Sequence, residues 1–332
     1  MATIRQVAAH AGVSIGTVSK VLNGLDEKVD PVAKERIWAS IRELRYRPPA
    51  FEPNQKAAVS QNLGLIVPDL TENPLQRHGY VQQLLNGALE VSAFRGWSVT
   101  IFADNMWDDV GNAVRRKYDG RCDGLIVVAP QPDRDLVPSL RQRGAPIVQI
   151  GTTAWLDDVS SVDIDNVEAG RLVARHFLGL GHRRLGFLTD HREQVSSVER
   201  FQGYQEVAGG KAVRLVMERD ESPSDLIRRF LALGKGRPTA LMGWHDGILL
   251  PLFAALEAEG LSVPCDLSLA GVDRSSEVRE MGIDLTAVEN PIDDLGRRAA
   301  AMAIDRALDH SLPQEIVKLP PMLTVGSTTG PL

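Results

Sequence analysis

A chain of 332 residues is too long for one compact core of ordinary size, so two or three domains are expected. With 43% apolar and 24% charged residues it has the make-up of an ordinary globular protein, and no uncharged apolar run is long enough to span a bilayer. The net charge of −6 excludes a blanket polyanion binder. Yet eight basic against five acidic residues give positions 1–50 a charge of +3 and leave −9 on the remainder. That asymmetry confines contact with phosphates to the head.

The first fifty residues read as three short helices. Thr3-Ile4-Arg5-Gln6 is a capping box, in which the Thr3 hydroxyl accepts an orphan backbone N–H and Gln6 reaches back. Ile4, Val7, Ala8 and Ala11 follow on one face, and Gly12 supplies the left-handed residue that ends a helix. Ser14 caps a second helix with Val18, Val21 and Leu22 inward, closed by Asn23-Gly24. Asp30-Pro31 opens a third, with Ala33, Ile37, Ile41 and Leu44 as its buried stripe. Arg47-Pro48-Pro49-Ala50-Phe51-Glu52-Pro53 breaks the pattern as a linker.

From Leu63 onward short apolar runs alternate with helical segments. Leu63–Val67, Val99–Phe102, Gly124–Val128, Ile147–Ile150, Leu185–Leu188, Ala240–Met242 and Leu267–Val272 predict parallel strands covered on both faces. This is a doubly wound α/β body, and its length suits two lobes. The N-terminus lacks the three-part pattern of a secretory signal, so a cytoplasmic protein is expected. Cys122 and Cys265 fit a reducing compartment and are expected at or near the core.

The head has the dimensions of a helix-turn-helix. Ala8, Ala9 and Gly12 let two helices cross closely. Ser14, Thr17 and Ser19 bring hydroxyls to the start of the second helix, where free backbone N–H groups favour phosphate oxygens. Ile15, Gly16 and Lys20 face outward. Lys20 is suited to guanine O6 or N7, and Ile15 to a thymine methyl. On the helix pattern alone, a three-helix module for protein contacts competes nearly evenly.

Thr3-Ile4-Arg5-Gln6-Val7-Ala8, Ala11-Gly12-Val13-Ser14 and Thr17-Val18-Ser19-Lys20-Val21-Leu22-Asn23-Gly24 resemble the head of the LacI/GalR family of bacterial repressors. The likeness extends through Ile41–Pro48 into the body, at Asp123-Gly124-Leu125-Ile126-Val127, Asp165-Asn166, Leu180–Gly186, Arg200-Phe201-Gln202-Gly203-Tyr204 and Gly271-Val272-Asp273. It implies a small all-α helix-turn-helix head (1–48), a hinge (49–62) and a periplasmic-binding-protein-like body (63–332) of two doubly wound parallel-sheet lobes. The N-lobe is expected over about 63–162 plus 290–323, and the C-lobe over 163–289 plus 324–332. A homodimer on a near-palindromic double-stranded operator is implied, with Thr3, Ser14, Ile15, Gly16, Thr17, Ser19, Lys20, Asn23 and Gln55 as the DNA-binding set.

The chain departs from the family at the hinge. The family has Ala-x-Ala-Arg-Ser-Leu, whose leucine wedges a base step in the minor groove. Here Ala50-Phe51-Glu52-Pro53-Asn54-Gln55 puts Pro53 at the Arg and Gln55 at the Leu position. Proline begins a helix but does not continue one.

For the effector, expected in the cleft between the lobes, the resemblance points to Arg200 and Asp273, a fork of donors and a pair of acceptors suited to adjacent hydroxyls. His245-Asp246 stands where the family commonly has Asn-Asp, and Trp244 beside it is placed to stack on a sugar face. Lobe packing is an equal reading for Trp244 and His245, and an inter-strand salt bridge a weaker one for Arg200. Asp165-Asn166 suits a helix cap and a ligand contact equally, and His182 reads as a turn former. No cofactor or metal is called for. Gly12-Val13-Ser14-Ile15-Gly16 matches a nucleophile motif by chance, because it precedes any sheet. The reading is a repressor, not an enzyme, responding to a sugar or sugar derivative. A purine-type corepressor is the alternative, and a solute-binding receptor or an α/β enzyme with a helical appendage is further off.

Overall fold

The computed structural model describes residues 2–22, 29–44, 46, 60–67, 79–102, 121–129, 136–142, 144–151, 159–190 and 194–332. Asn23, Pro53 and Gln55, and with them the hinge question, lie outside these residues. Two compact units are present: Met1–Val162 with Asp293–Val317, and Asp163–Ile292 with Lys318–Leu332.

The first unit opens with three helices, α1 (Ile4–Ala11), α2 (Ile15–Leu22) and α3 (Pro31–Glu43). Both halves of the predicted capping box at Thr3 are made, and Gly12 closes α1 at φ 66°. Asp30 caps α3 through the Ala33 N–H at 3.0 Å. The apolar stripes meet in one small core of Val7, Ala8, Ala11, Val18, Val21, Leu22, Ile37 and Ile41, closed by Tyr46.

The rest of this unit contains β1 (Asn62–Ile66), α4 (Gly79–Phe94), β2 (Ser98–Phe102), β3 (Gly124–Val128), α5 (Leu136–Gln142), β4 (Ile147–Ile150) and β5 (Ser160–Ile164). The second unit continues with α6 (Asn166–Gly179), β6 (Leu185–Asp190), α7 (Val195–Val207), β7 (Val213–Met217), α8 (Pro223–Leu231), β8 (Ala240–Gly243), α9 (Leu250–Ala258), β9 (Ser268–Val272), α10 (Ser276–Glu280) and β10 (Thr286–Glu289). Helix α11 (Ile292–Leu308) returns the chain to the first unit, and strands β11 (Ile316–Leu319) and β12 (Met322–Thr324) end it. The sheets run β11-β5-β4-β3-β1-β2 and β12-β10-β9-β8-β6-β7. The order of the five parallel strands is therefore the same in both: second, first, third, fourth, fifth. Every predicted strand forms, within two residues at its ends. Strands β5, β7, β10, β11 and β12 were not anticipated.

Helix pairs in both units meet at glycines. A Cβ at Gly87 of α4 would lie 1.9 Å from the Asp293 carbonyl oxygen, and one at Gly296 of α11 would lie 2.0 Å from that of Leu84. In the second unit a Cβ at Gly170 of α6 would meet the Arg200 carbonyl at 1.9 Å, and one at Gly203 of α7 would meet that of Val167 at 1.8 Å. Only a missing side chain permits such an approach, and in the second unit it fixes where α7 carries Arg200.

Two sequence readings need correction. Cys265 is exposed, whereas Cys122 is buried. Cys265 sits in the turn before β9 rather than on the strand, so no sheet covers it. His182 does more than shape a turn. It is buried, with Nδ1 2.9 Å from Thr239 Oγ1 and Nε2 3.0 Å from the Gly330 carbonyl and 3.1 Å from Ser268 Oγ. A carbonyl only accepts, so Nε2 carries the proton and Nδ1 receives one from Thr239. Burial lowers its pKa, and the neutral ring binds the C-terminal tail, which Leu332 also ties to the Leu180 carbonyl.

The glycine crossing gives a direct stability test. Gly203→Ala is expected to cost about 2–3 kcal/mol in urea unfolding, since a helix carbonyl cannot rotate away. Gly179→Ala, where an added Cβ meets nothing within 4 Å, is expected to be neutral or to stabilise by a few tenths of a kcal/mol or more. Equal effects at the two positions would refute the crossing.

Candidate functional sites

The first site is the outer face of α2. Ser14 Oγ accepts the Thr17 N–H at 3.1 Å and lies 2.8 Å from Thr17 Oγ1, so the helix start is held by two hydroxyls. Like any helix, α2 has first N–H groups with no acceptor in the helix, and these face an anion readily. Ile15 is 45% exposed, and Gly16 and Lys20 are exposed beside it, while Thr17 and Ser19 are half-buried. Val18, Val21 and Leu22 anchor the opposite face. Of the predicted DNA-binding residues, Ser14, Ile15, Gly16, Thr17, Ser19 and Lys20 thus share one short helix and its cap. Thr3 stands at the start of α1, where its hydroxyl receives the Gln6 N–H at 3.3 Å.

The second site lies in the second unit, around the carboxyl ends of its parallel strands, where open α/β sheets bind ligands. Arg200, carried in by α7, is 6% exposed. Its Nε donates to Asn166 Oδ1 at 3.0 Å and its Nη1 to the Trp244 carbonyl at 2.5 Å. The salt-bridge reading between strands does not hold, because Arg200 is helical and these two acceptors are an amide and a backbone carbonyl. Asn166 Nδ2 in turn donates to Asp163 Oδ2 at 3.3 Å and Glu199 Oε2 at 3.2 Å.

After β8 the chain runs Trp244, His245 and a short 3₁₀ turn, Asp246–Ile248. Trp244 is 8% exposed and belongs to the apolar core of the unit. The His245 ring stands edge-on to it, with centroids 4.3 Å apart. Gly247 makes room for that imidazole, since a Cβ there would lie 2.9 Å from its Nδ1 and Cε1. Asp246 is buried and accepts the Ser275 N–H at 2.8 Å, which fastens the turn to the start of α10.

Asp273 follows β9 with φ 68°, a left-handed conformation uncommon outside glycine. Its N–H donates to the Val288 carbonyl at 2.8 Å, and its Oδ1 accepts from Asn290 Nδ2 at 2.6 Å. The structure therefore brings Arg200, Trp244, His245, Asp246 and Asp273 into one neighbourhood, joins to them Asn166, whose pair with Asp165 suited a ligand contact and a structural role equally, and adds Glu199, Asp163 and Asn290, which sequence reasoning did not assign. Position at a strand's carboxyl end was the available signal for Asn290, and the Asp165-Asn166 pair for Asn166. Asp165 itself caps α6 through the Glu168 N–H at 2.9 Å.

Burial, opposed by Asp246, deepened by Arg200 and opposed again by Asp190, holds His245 down at about 4. Burial pushes Asp273 up to about 6, against the pull of Arg200 and with the help of Asp246, while Asn290 favours the charged form. At neutral pH the site therefore holds a neutral imidazole and a carboxylate stripped of much of its water.

The fold and these two sites define a class: a helix-turn-helix head joined to a periplasmic-binding-protein-like body. The model for bacterial regulatory proteins of the lacI family matches residues 3–49, and the periplasmic binding protein-like domain matches residues 174–329. The HTH-type transcriptional repressor PurR of Photobacterium profundum is 28% identical over 98% of both chains. The PurR of Mannheimia succiniciproducens is 27% identical over 98% of both. Among solved structures, the complex of the transcriptional regulator CelR with cellobiose has a TM-score of 0.73 at 26% identity, covering 99% of this chain and 100% of that one. A LacI family regulator of Enterococcus faecalis with bound ribose has a TM-score of 0.69 at 21% identity, covering 82% and 99%. The chain thus carries a LacI-family DNA-binding domain followed by a periplasmic binding protein-like domain, and it is similar over nearly its whole length to DNA-binding transcription regulators.

The two shifted groups act on stability with opposite sign. An unfolded histidine takes up its proton near 6.5 and the folded His245 only near 4, so stability falls as pH drops through that window. Folded Asp273 takes up its proton near 6 and an unfolded aspartate near 3.8, so acidification there adds stability. Asp273→Asn keeps the left-handed backbone and an acceptor for Asn290. It is expected to melt higher than wild type at neutral pH by about 3 °C, with the difference vanishing as pH falls to about 4. A pH-independent difference in melting temperature would refute the assignment.

Proposed function

We propose that this regulator represses transcription in the cytoplasm as a homodimer on a near-palindromic operator, with α2 in the major groove and a small polar effector on the Arg200–Asp273 cluster. The observation that carries it is the exposed Ile15–Gly16–Lys20 face of a helix whose N-terminus is capped by Ser14 and Thr17. Lys20 and Ile15 read base edges, Gly16 lets the backbone approach, and Thr3, Ser14, Thr17 and Ser19 position the helix on phosphates. Asn23 and Gln55 complete the DNA-binding set by the family resemblance. His245 supplies a neutral donor and acceptor, and Asp246 holds its turn.

The effector is proposed to be a sugar or sugar derivative. A purine-type corepressor is the second reading, favoured by the near full-length likeness to PurR repressors. No helix among the described residues is long and apolar enough to cross a membrane.

Selection of operators from random duplexes, followed by gel-shift titration, tests the head. Lys20→Ala is expected to cost about 1–3 kcal/mol on the selected site and to relax preference at one position of each half-site. Unchanged preference would remove Lys20 from the reading set. A calorimetric screen of sugars and purine bases tests the body. Asp273→Asn is expected to weaken the effector and blunt its influence on operator affinity while the head still binds DNA. A full response in that variant would place the effector elsewhere.

A further inference from the structure

The amino ends of the parallel strands in the second unit gather five cations. Gly186 of β6 is in register with Val213 of β7, which sets Arg184 level with Lys211. Leu185 pairs with Ala240 of β8, and the Arg184 carbonyl accepts the Thr239 N–H at 2.9 Å. Arg184 Nε in turn donates to the Arg237 carbonyl at 3.0 Å. Arg183 stands one residue before Arg184, and Lys235 lies in the short turn Gly234–Gly236 that leads into Arg237. Arg183, Arg184, Lys211 and Lys235 are exposed, and Arg237 is half-buried.

Among the described residues, no carboxylate forms an ion pair with any of the five. Arg183 donates to the Leu178 and His182 carbonyls, and the Arg237 guanidinium carbon lies 6.0 Å from the centroid of the Phe230 ring. Carbonyls and a ring direct these guanidinium forks without cancelling their charge. Asp266 feels Arg237 through space, but its Oδ2 accepts the Ser262 N–H and hydroxyl, both at 2.8 Å. Elsewhere in this unit arginines meet carboxylates directly: Arg171 meets Glu206 at 2.7 Å, Arg175 meets Glu168 at 2.7 Å, and Arg229 meets Glu221 at 2.8 Å. The cations at the strand ends are therefore open to a carboxylate from outside.

Residues 163–292 and 318–332 hold twenty acidic and sixteen basic residues, so without these five the balance is twenty to eleven. The positive end is an island on an acidic unit. A duplex, with one charge per ~1.7 Å of axis, would run past the island onto like charge. A segment of a few residues covers the island alone, since charges beyond about 8–10 Å are screened at physiological salt. Leu233, 42% exposed, sits two residues before Lys235. An apolar side chain among cations suits a peptide bearing carboxylates and an apolar residue better than a sugar-phosphate backbone. We infer that this end of the second unit is a docking surface for a short acidic segment of a partner protein, held by Arg184, Lys211, Lys235 and Arg237 around Leu233. It stands apart from the effector cluster, which lies at the carboxyl ends of the same strands.

Fluorescence anisotropy with the full chain tests this. The probes are a labelled peptide of glutamates interrupted by leucines, its counterpart with glutamine for every glutamate, and a non-operator duplex. The acidic peptide is expected to bind at low salt and the glutamine peptide not to bind. Lys211→Glu combined with Lys235→Glu is expected to weaken the acidic peptide at least about fivefold. The melting temperature and the duplex affinity of that variant are expected to hold, because neither lysine side chain is bonded to the fold. Lys211→Gln with Lys235→Gln, which removes charge without reversing it, is expected to give a smaller loss in the same direction. Equal binding of the two peptides, or full affinity for the acidic peptide in both variants, overturns the docking surface. So does an acidic peptide that fails to bind wild type at about 1 mM. A loss of duplex affinity as large as the loss of peptide affinity assigns this end to phosphates and overturns the choice of partner. A change in sedimentation of the charge-reversed variant assigns it to a second copy of this chain and overturns that choice equally.

Discussion

The buried guanidinium of Arg200 is the interaction on which the body of this regulator turns. A buried charge is tolerable only with partners, and losing one partner leaves a large desolvation penalty. Here its partners include Asn166 at the start of α6, the Trp244 carbonyl after β8, and the field of Asp273 after β9. Each is therefore held relative to the others by the need to satisfy one cation. The reach of Arg200 depends on the glycine crossing of α6 and α7, since Gly170 lies against the Arg200 carbonyl itself. A bulkier residue there would withdraw the guanidinium from the strand ends. Packing and electrostatics in this unit are in that sense one constraint.

The same neighbourhood keeps two titratable groups away from their ordinary pH ranges in opposite directions. Burial suppresses the positive charge of His245 and the negative charge of Asp273, so both resist ionisation for the same reason. Asp273 is further committed to a left-handed backbone. Strain and desolvation gathered at one set of loops support the proposed reading of this cluster as a recognition site.

The sequence exposed some of this readily and concealed the rest for physical reasons. Caps and turns are local chemistry, so Thr3, Gly12, Ser14 and Asp30 were legible, and with them the head. Strands covered on both faces are apolar throughout, which revealed β1, β3, β4, β6, β8 and β9. Strand β5 is Ser160-Ser161-Val162-Asp163-Ile164, buried yet polar, because Ser160 bonds Gln314 at 3.0 Å and Asp163 reaches Asn166. Polarity hid it. Strands β11 and β12 are half-open edges with no apolar run to show. Arg200 and Asp273 were found through family likeness. Glu199 was not, because its meeting with Asn166, 33 positions away, leaves no mark in local spacing.

The placement of the cluster along the chain bears on how a ligand can matter to a head in the other unit. The chain passes between units after Val162, after Ile292 and after Val317. Asp163 is the first residue beyond the first passage, and Asn290, bonded to Asp273, comes two residues before Ile292. At the third, the Asp165 N–H donates to the Leu319 carbonyl at 2.9 Å, one residue ahead of Asn166. The first two passages are thus within a few residues of groups that hold Arg200 or Asp273, and the third is bonded to the residue before Asn166. A ligand shifts an equilibrium only by its difference in affinity for two states. A backbone change at the first two passages would act directly on Asp163, Asn166 and Asn290. The groups that would sense a ligand and the segments that would transmit its presence are therefore the same short stretches of chain.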